Sequence, residues 1–158
     1  MLRPKRLAAL LAVTLLVGTA VSALSAAAPE GTGITWQTDL RKAHETAVRE
    51  NKPMLIVFGA DWCGYCKKLE RETLANPQMV KYVNAEFVPV HLDADKDKEA
   101  LDILEVRGLP CSVVLSPNAD LLGRIEGYQK TAPYYSKLVS ARRLHTGVAP
   151  TAANVTAE

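Results

Sequence analysis

The stretch "MLIVFGADWCGYCKKLERETLA" (54–75) decides the fold, because it joins a short apolar run to a pair of cysteines and then to a helical pattern. Residues 54–60 are apolar and rich in branched side chains. This pattern predicts a strand buried on both faces, as in a sheet covered by helices. Cys63 follows that strand directly, and the residues from Gly64 onward predict a helix. We therefore expect Cys63 and Cys66 at a strand-to-helix junction.

That junction suits thiol chemistry. The first backbone N–H groups of a helix are unpaired and its dipole favours negative charge, so both stabilise a thiolate at Cys63. Such CxxC cysteines have pKa values of roughly 3.5–7.5, against about 8.5 for a free thiol. Cys66 lies one turn further on the same side, so it can attack a mixed disulfide at Cys63 and release the product. Gly64 has no side chain and so leaves the rim around Cys63 open, and Trp62 provides a flat apolar wall beside Cys63.

The sequence leaves two other roles open for the cysteine pair. A static disulfide within an interaction module is one, although a two-residue spacer closes so short a loop that the entropic stabilisation is small. A metal-binding or metal-delivery site is the other. It needs tetrahedral ligands, and the chain has three cysteines, scattered histidines and no second CxxC. The spacing favours a redox pair, with a metal site on Cys63, Cys66 and Cys111 as the alternative.

Further elements are predicted on both sides of this stretch. Helices are predicted over residues 38–51, 76–83, 96–108 and 132–144, and strands over 86–95, 111–116 and 121–128. The last two strands flank the turn "PNAD", which predicts an antiparallel hairpin. Two parallel strands linked by helices, then a hairpin and a last helix, predict one mixed sheet with helices on both faces.

The N-terminus has the pattern of a targeting segment. Within residues 1–28, three basic residues precede an apolar run and then small residues, which is typical of a secretory signal peptide. The alternative is an uncleaved membrane anchor, because the apolar part approaches the ~20 residues that span a bilayer. We expect a periplasmic or secreted protein with its domain at 29–143 and a disordered tail at 144–158.

The charge of the chain gives no indication of nucleic-acid binding. Three of the 19 basic residues lie in the targeting segment and none of the 17 acidic ones, so the remainder has one acidic residue in excess. No basic stripe with interleaved aromatic residues is present either. Nucleic acid is therefore excluded from the expected partners.

The residues resemble the thioredoxin superfamily over 34–143. The segments that carry the likeness are "FGADWCGYCKK" (58–68), "VHLDAD" (90–95) and "VRGLPCSVVLSPNADLLGRIEGY" (106–128). Secreted thioredoxin-like proteins also share the residues before the strand, here Trp36, Ala43, Ala47, Lys52 and Pro53. The resemblance implies an α/β thioredoxin fold, with a central mixed sheet of four to five strands and helices on both faces. It implies thiol–disulfide exchange with no cofactor besides the Cys63–Cys66 disulfide.

The resemblance also implies the substrate groove. Pro110 would be the family's cis-proline facing the cysteine pair, and the backbone of Leu109 would pair with substrate. Trp62, Gly64 and Tyr65 would complete the groove. The expected partners are protein thiols and disulfides, together with a membrane or periplasmic electron donor.

Three positions depart from the family pattern. A buried acid often lies six residues before the first cysteine and assists proton transfer at the second. Val57 occupies this position here. Proton transfer at Cys66 must therefore use water or another group, or be slower. Cys111 follows Pro110 where Thr is common, and is either a buried core residue facing away from the pair or an accessory thiol.

The third departure is the dipeptide between the cysteines, because Gly64-Tyr65 is the dipeptide of periplasmic disulfide isomerases. Those isomerases add a dimerisation domain for which this chain has no room, so we expect a monomeric reductase with isomerase activity as the alternative.

Overall fold

The computed structural model describes residues 33–147. The predicted signal peptide or anchor at 1–28 and residues 148–158 of the predicted tail lie outside the described residues. The elements in chain order are α1 (Leu40–Glu50), β1 (Met54–Gly59), α2 (Gly64–Leu69) continued by a π-helical turn (Glu70–Leu74), α3 (Pro77–Glu86), β2 (Val88–Asp93), α4 (Lys98–Ile103), β3 (Cys111–Leu115), β4 (Leu121–Glu126) and α5 (Thr131–His145). Between residues 33 and 147, no helix has the length and apolar character needed to cross a membrane.

The four strands form one mixed sheet in the order β2-β1-β3-β4. β1 pairs in parallel with β2 and antiparallel with β3, and β3 pairs antiparallel with β4. Every residue of β1 is buried, as its continuous apolar run predicted. The predicted mixed sheet with its hairpin is confirmed.

Helices cover both faces of the sheet. Alternate residues of a strand point to opposite faces, so β1 contributes side chains to two cores. Leu55 and Val57 of β1 lie in one core with side chains of α2, α3 and α5, here called the α5-side core. Ile56 and Phe58 lie in the other core with Ala47 of α1, here called the α1-side core. The cysteine-bearing helix α2 packs into the α5-side core through its buried residue Leu69.

Helix α4 is shorter than its sequence predicted. It ends at Ile103 rather than near Gly108, because Glu105 takes a left-handed conformation with φ of 51°. The N–H of Val106 then bonds the Leu101 carbonyl at 2.9 Å, which is a helix-ending pattern that usually employs glycine. The residues after this turn are therefore free to form the loop that leads into Leu109 and Pro110.

Helix α5 is longer than predicted. It runs to His145, beyond the predicted domain end at 143. The His145 Nε2–H donates to the Asn51 carbonyl at 3.1 Å, which ties the end of this helix to the turn before β1.

Candidate active site

The junction of β1 and α2 holds the two cysteines as a disulfide. Their Cα atoms are 5.3 Å apart. Cys63 is the N-cap of α2, and its sulfur accepts a hydrogen bond from the Cys66 N–H at 3.1 Å. The side chains are 6% and 3% exposed. The backbone N–H that stabilises a thiolate in the reduced protein is thus already directed at the Cys63 sulfur.

An open groove of about 510 Å³ runs past the pair. Its aromatic members Trp62 and Tyr65 are 70% and 66% exposed. Three regions contribute to it: the junction of β1 and α2, the loop after β2, and α4 with the loop that follows it. The lining residues are Trp62, Cys63, Gly64, Tyr65, Ala94, Asp95, Leu101, Val106, Arg107, Gly108 and Leu109. The structure thus brings the predicted groove residues Trp62, Gly64, Tyr65 and Leu109 together around Cys63.

Pro110 lies directly before β3 and does not line the groove itself. The Leu109–Pro110 peptide bond is cis, as the resemblance implied. Pro110 is buried, and its carbonyl accepts a hydrogen bond from the Gly127 N–H at 2.8 Å. This bond anchors the loop that presents Leu109.

The indole of Trp62 is oriented by a residue that sequence reasoning missed. Its Nε1–H donates to the Asp95 Oδ2 at 2.9 Å. Asp95 lies in the loop after β2, where its own N–H donates to Asp93 at 3.0 Å. Hydrogen bonding to Lys96 lowers the pKa of Asp93, so this loop is held by a charged carboxylate. The acidic end of the predicted strand was the available signal, but its contact with Trp62 spans 33 positions of the chain.

Cys111 lies on the opposite side of the sheet from the pair. Its side chain belongs to the α1-side core, whereas α2 packs into the α5-side core. Burial raises the pKa of the Cys111 thiol, and the nearest charged group is the Arg124 guanidinium, 3.8 Å from the sulfur. Within residues 33–147, no three His, Cys, Asp or Glu side chains are grouped as metal ligands. Cys111 thus packs as a buried core residue.

Behind the pair, Val57 is buried in the α5-side core, so an apolar side chain occupies the position of the family's acid. Its register partner on β2 is His91. The His91 ring lies against Trp36 with centroids 5.7 Å apart, and its Nε2 is 3.2 Å from the Glu70 Oε1. Sequence reasoning missed this histidine, treating it as one of several scattered ones. The available signal was its position in β2, the strand next to β1 in the predicted sheet.

Residues 40–142 match the model of a thioredoxin-like domain. The chain belongs to the thioredoxin-like family. Thioredoxin-related protein DsbJ of Chlamydia pneumoniae is 27% identical over 128 residues, covering 73% of this chain and 37% of that protein. Thiol:disulfide interchange protein DsbD of Vibrio vulnificus is 28% identical over 102 residues, covering 61% of this chain and 17% of that protein. The thioredoxin-like chain thus spans well under half the length of these relatives.

Solved structures agree with the fold. DsbH Oxidoreductase superimposes with a TM-score of 0.65 at 23% identity, over 77% of this chain and 93% of that one. A thioredoxin from Thermus thermophilus gives 0.63 at 22% identity, over 74% and 91%. The predicted thioredoxin fold is therefore confirmed. Together with the Cys63–Cys66 disulfide, the family places this thioredoxin-like domain in the thiol–disulfide oxidoreductase class.

Proposed function

We propose that this thioredoxin-like chain is an extracytoplasmic reductase of protein disulfides. The observation that carries the proposal is the Cys63–Cys66 disulfide, capped on a helix N-terminus and bordering an open groove. Trp62 and Tyr65 form exposed aromatic walls there, which suits an extended protein segment better than an enclosed small molecule. The metal-delivery alternative needs Cys111 beside the pair, and that residue packs in the core on the other face.

Within one turnover, the attacking sulfurs and the two electrons come from the cysteine pair itself. The Cys63 thiolate attacks one sulfur of a substrate disulfide, forms a mixed disulfide and expels the other sulfur as a thiolate, which takes up a proton. The Cys66 thiol then loses its proton and its sulfur attacks Cys63, releasing the second substrate sulfur. Two electrons pass to the substrate and the Cys63–Cys66 bond forms. A dithiol donor must restore the pair, and we propose a membrane or periplasmic thiol–disulfide protein, with this chain acting as a monomer.

A turnover assay tests the direction of catalysis. We expect the protein to accelerate reduction of a protein disulfide by a small dithiol, because Cys63 sits at the groove. We also expect an equilibrium potential nearer the roughly −270 mV of thioredoxin than the roughly −120 mV of a strong oxidant. Cys111→Ser should leave both unchanged, since this thiol faces the other core.

Three results would contradict a reductase. A potential near about −120 mV would indicate an oxidant, and one far below about −300 mV would indicate a static disulfide. Faster rearrangement of a scrambled protein than reduction of a native one would favour the isomerase alternative, to which the Gly64-Tyr65 dipeptide points.

The extracytoplasmic location rests on residues 1–28 and has its own test. We expect the expressed full chain to lose this segment between Ser25 and Ala28 and to be recovered outside the cytoplasm, because the pattern is that of a secretory signal. Mass determination of the purified N-terminus, combined with cell fractionation, checks this. Intact chain in the membrane fraction would support the anchor, and intact chain in the cytosol would contradict the proposal.

A further inference from the structure

The imidazole of His91 lies across a small gap from the resolving cysteine. A Cβ atom built on Gly59 would lie 3.4 Å from the His91 Nε2 and 3.7 Å from the Cys66 Cβ. The ring and the cysteine therefore face the same space, which is open because residue 59 has no side chain. The neighbouring residue on that face of β1, two positions earlier, is Val57. No carboxylate stands there to take the Cys66 proton.

The imidazole has a defined orientation. Its Nε2 lies 3.2 Å from the Glu70 Oε1, and its ring packs edge-on against Trp36 with an interplanar angle of 67°. Glu70 begins the π-helical turn that extends α2, so it belongs to the same helical segment as Cys66. Turns of this kind frequently occur at functional sites.

The outer side of the His91–Glu70 pair is open to solvent. Both residues line a pocket of about 450 Å³ with Trp36. Their side chains are 30% and 49% exposed, whereas Cys66 is buried. The pair thus lies between a buried thiol on one side and water on the other, which is the placement that a proton acceptor for that thiol requires.

We propose that the His91–Glu70 pair accepts the proton of the Cys66 thiol when Cys66 resolves the mixed disulfide. This rests on the proposed function and supplies the group that Val57 cannot. The proton leaves the Cys66 sulfur for the His91 Nε2, which is unprotonated in the neutral ring that carries its hydrogen on Nδ1, and the new Nε2–H then donates to the Glu70 Oε1. The Cys66 sulfur attacks Cys63, the mixed disulfide breaks, and the departing substrate thiolate takes up a proton from the pair or from water. His91 receives the proton and Glu70 is the positioning residue.

Two acids lie on the same side of the sheet as His91. Glu70 faces it from the π-helical turn, and Asp93 lies two residues further along β2 on the same face. Lys96 bonds Asp93 at 2.8 Å and so offsets part of that carboxylate's charge. The residues that face His91 from β1 and from the segment before α1 are Val57, Gly59 and Trp36, none of which titrates.

Two-phase kinetics separate the resolving step from the first attack. The reduced protein is mixed with an aromatic disulfide that releases a coloured thiolate. Attack by Cys63 releases one equivalent, and resolution by Cys66 releases the second. Both rates are measured over about pH 5 to 8, where histidine titrates.

We expect His91→Gln to slow the second phase at neutral pH by about 10²-fold, the lower end of what acid–base catalysis contributes. The rise of the second-phase rate with pH in this window should also be lost. The first phase should be unchanged. Glu70→Gln, a change at an exposed side chain, should leave a second phase with an altered rate and pH profile, because the carboxylate that positions the imidazole is gone.

Two further variants make the test specific. Gly59→Ala places a methyl group at ordinary contact distance between the ring and Cys66, and we expect it to slow the second phase with His91 and Glu70 intact. His44→Gln is the matched control, since His44 is exposed on α1 and its Nε2–H bonds the Pro117 carbonyl at 2.9 Å. It should change neither phase.

The outcomes distinguish this inference from the proposed function. An unchanged second-phase rate and pH profile in folded His91→Gln and Glu70→Gln proteins would overturn the inference and leave a reductase that deprotonates Cys66 through water. A wild-type protein with no first phase would overturn the proposed function, and the inference with it. Circular dichroism of each variant establishes that it is folded.

Discussion

Cys66→Ala protein is expected to accumulate as mixed disulfides with its substrates, joined through Cys63. The first attack needs only Cys63 at the N-cap of α2, where the Cys66 backbone N–H still points at its sulfur. Release needs a second sulfur held beside the first, and well-oriented intramolecular groups act like reactants at effective concentrations of about 10⁵ M or more. Without the Cys66 thiol, release depends on dilute external thiols, so the complexes persist. Non-reducing electrophoresis and mass spectrometry of the captured species measure this.

The matched control is Cys63→Ala, which should capture nothing. Cys66→Ala combined with Cys111→Ser should capture as much as Cys66→Ala alone, because Cys111 is buried in the α1-side core. Capture that survives in Cys63→Ala, or that disappears when Cys111 is replaced, would show that a different thiol attacks the substrate.

Tyr134→Ala is expected to give the largest loss of stability among the substitutions considered. Tyr134 is fully buried in the α5-side core, and its hydroxyl bonds the Ser112 Oγ of β3 at 2.7 Å. Truncating a buried aromatic side chain lowers the free energy of unfolding by about 3–5 kcal/mol. It also leaves a buried hydroxyl without its partner. Against the roughly 5–15 kcal/mol that a domain has in total, this is a large share, and urea unfolding measures it.

The adjacent Tyr135 provides the control for this prediction. It lies on the same helix but is 39% exposed, and it contacts Tyr82 with ring centroids 4.6 Å apart. Tyr135→Ala should therefore lose only about 0.5–1.5 kcal/mol, the range for an aromatic pair. Equal urea midpoints for the two variants would contradict the large contribution to stability that we assign to Tyr134 in the α5-side core. Tyr134→Phe should fall between them, because it keeps the ring and leaves only the Ser112 hydroxyl without its partner.

Much of this molecule follows from local patterns in the chain. The apolar run 54–60 was enough to predict a strand covered on both faces, and the cysteines after it predicted a capped helix start. The hairpin at the "PNAD" turn and the closing helix followed in the same way. These features depend on residues within one or two turns of each other, so periodicity and turn chemistry are sufficient to predict them.

Other features depend on residues far apart in the chain. Register along β1 places His91 beside Val57, and strand alternation sends Cys111 to the opposite core from α2. The Trp62–Asp95 bond likewise depends on how the loops after β1 and β2 meet. A one-residue change in the register of β2 or β3 would turn His91 or Cys111 to the other face of the sheet. The redox pair is therefore a property of a short segment, whereas the groups that orient it and that we propose to take its proton are set by strand pairing and packing.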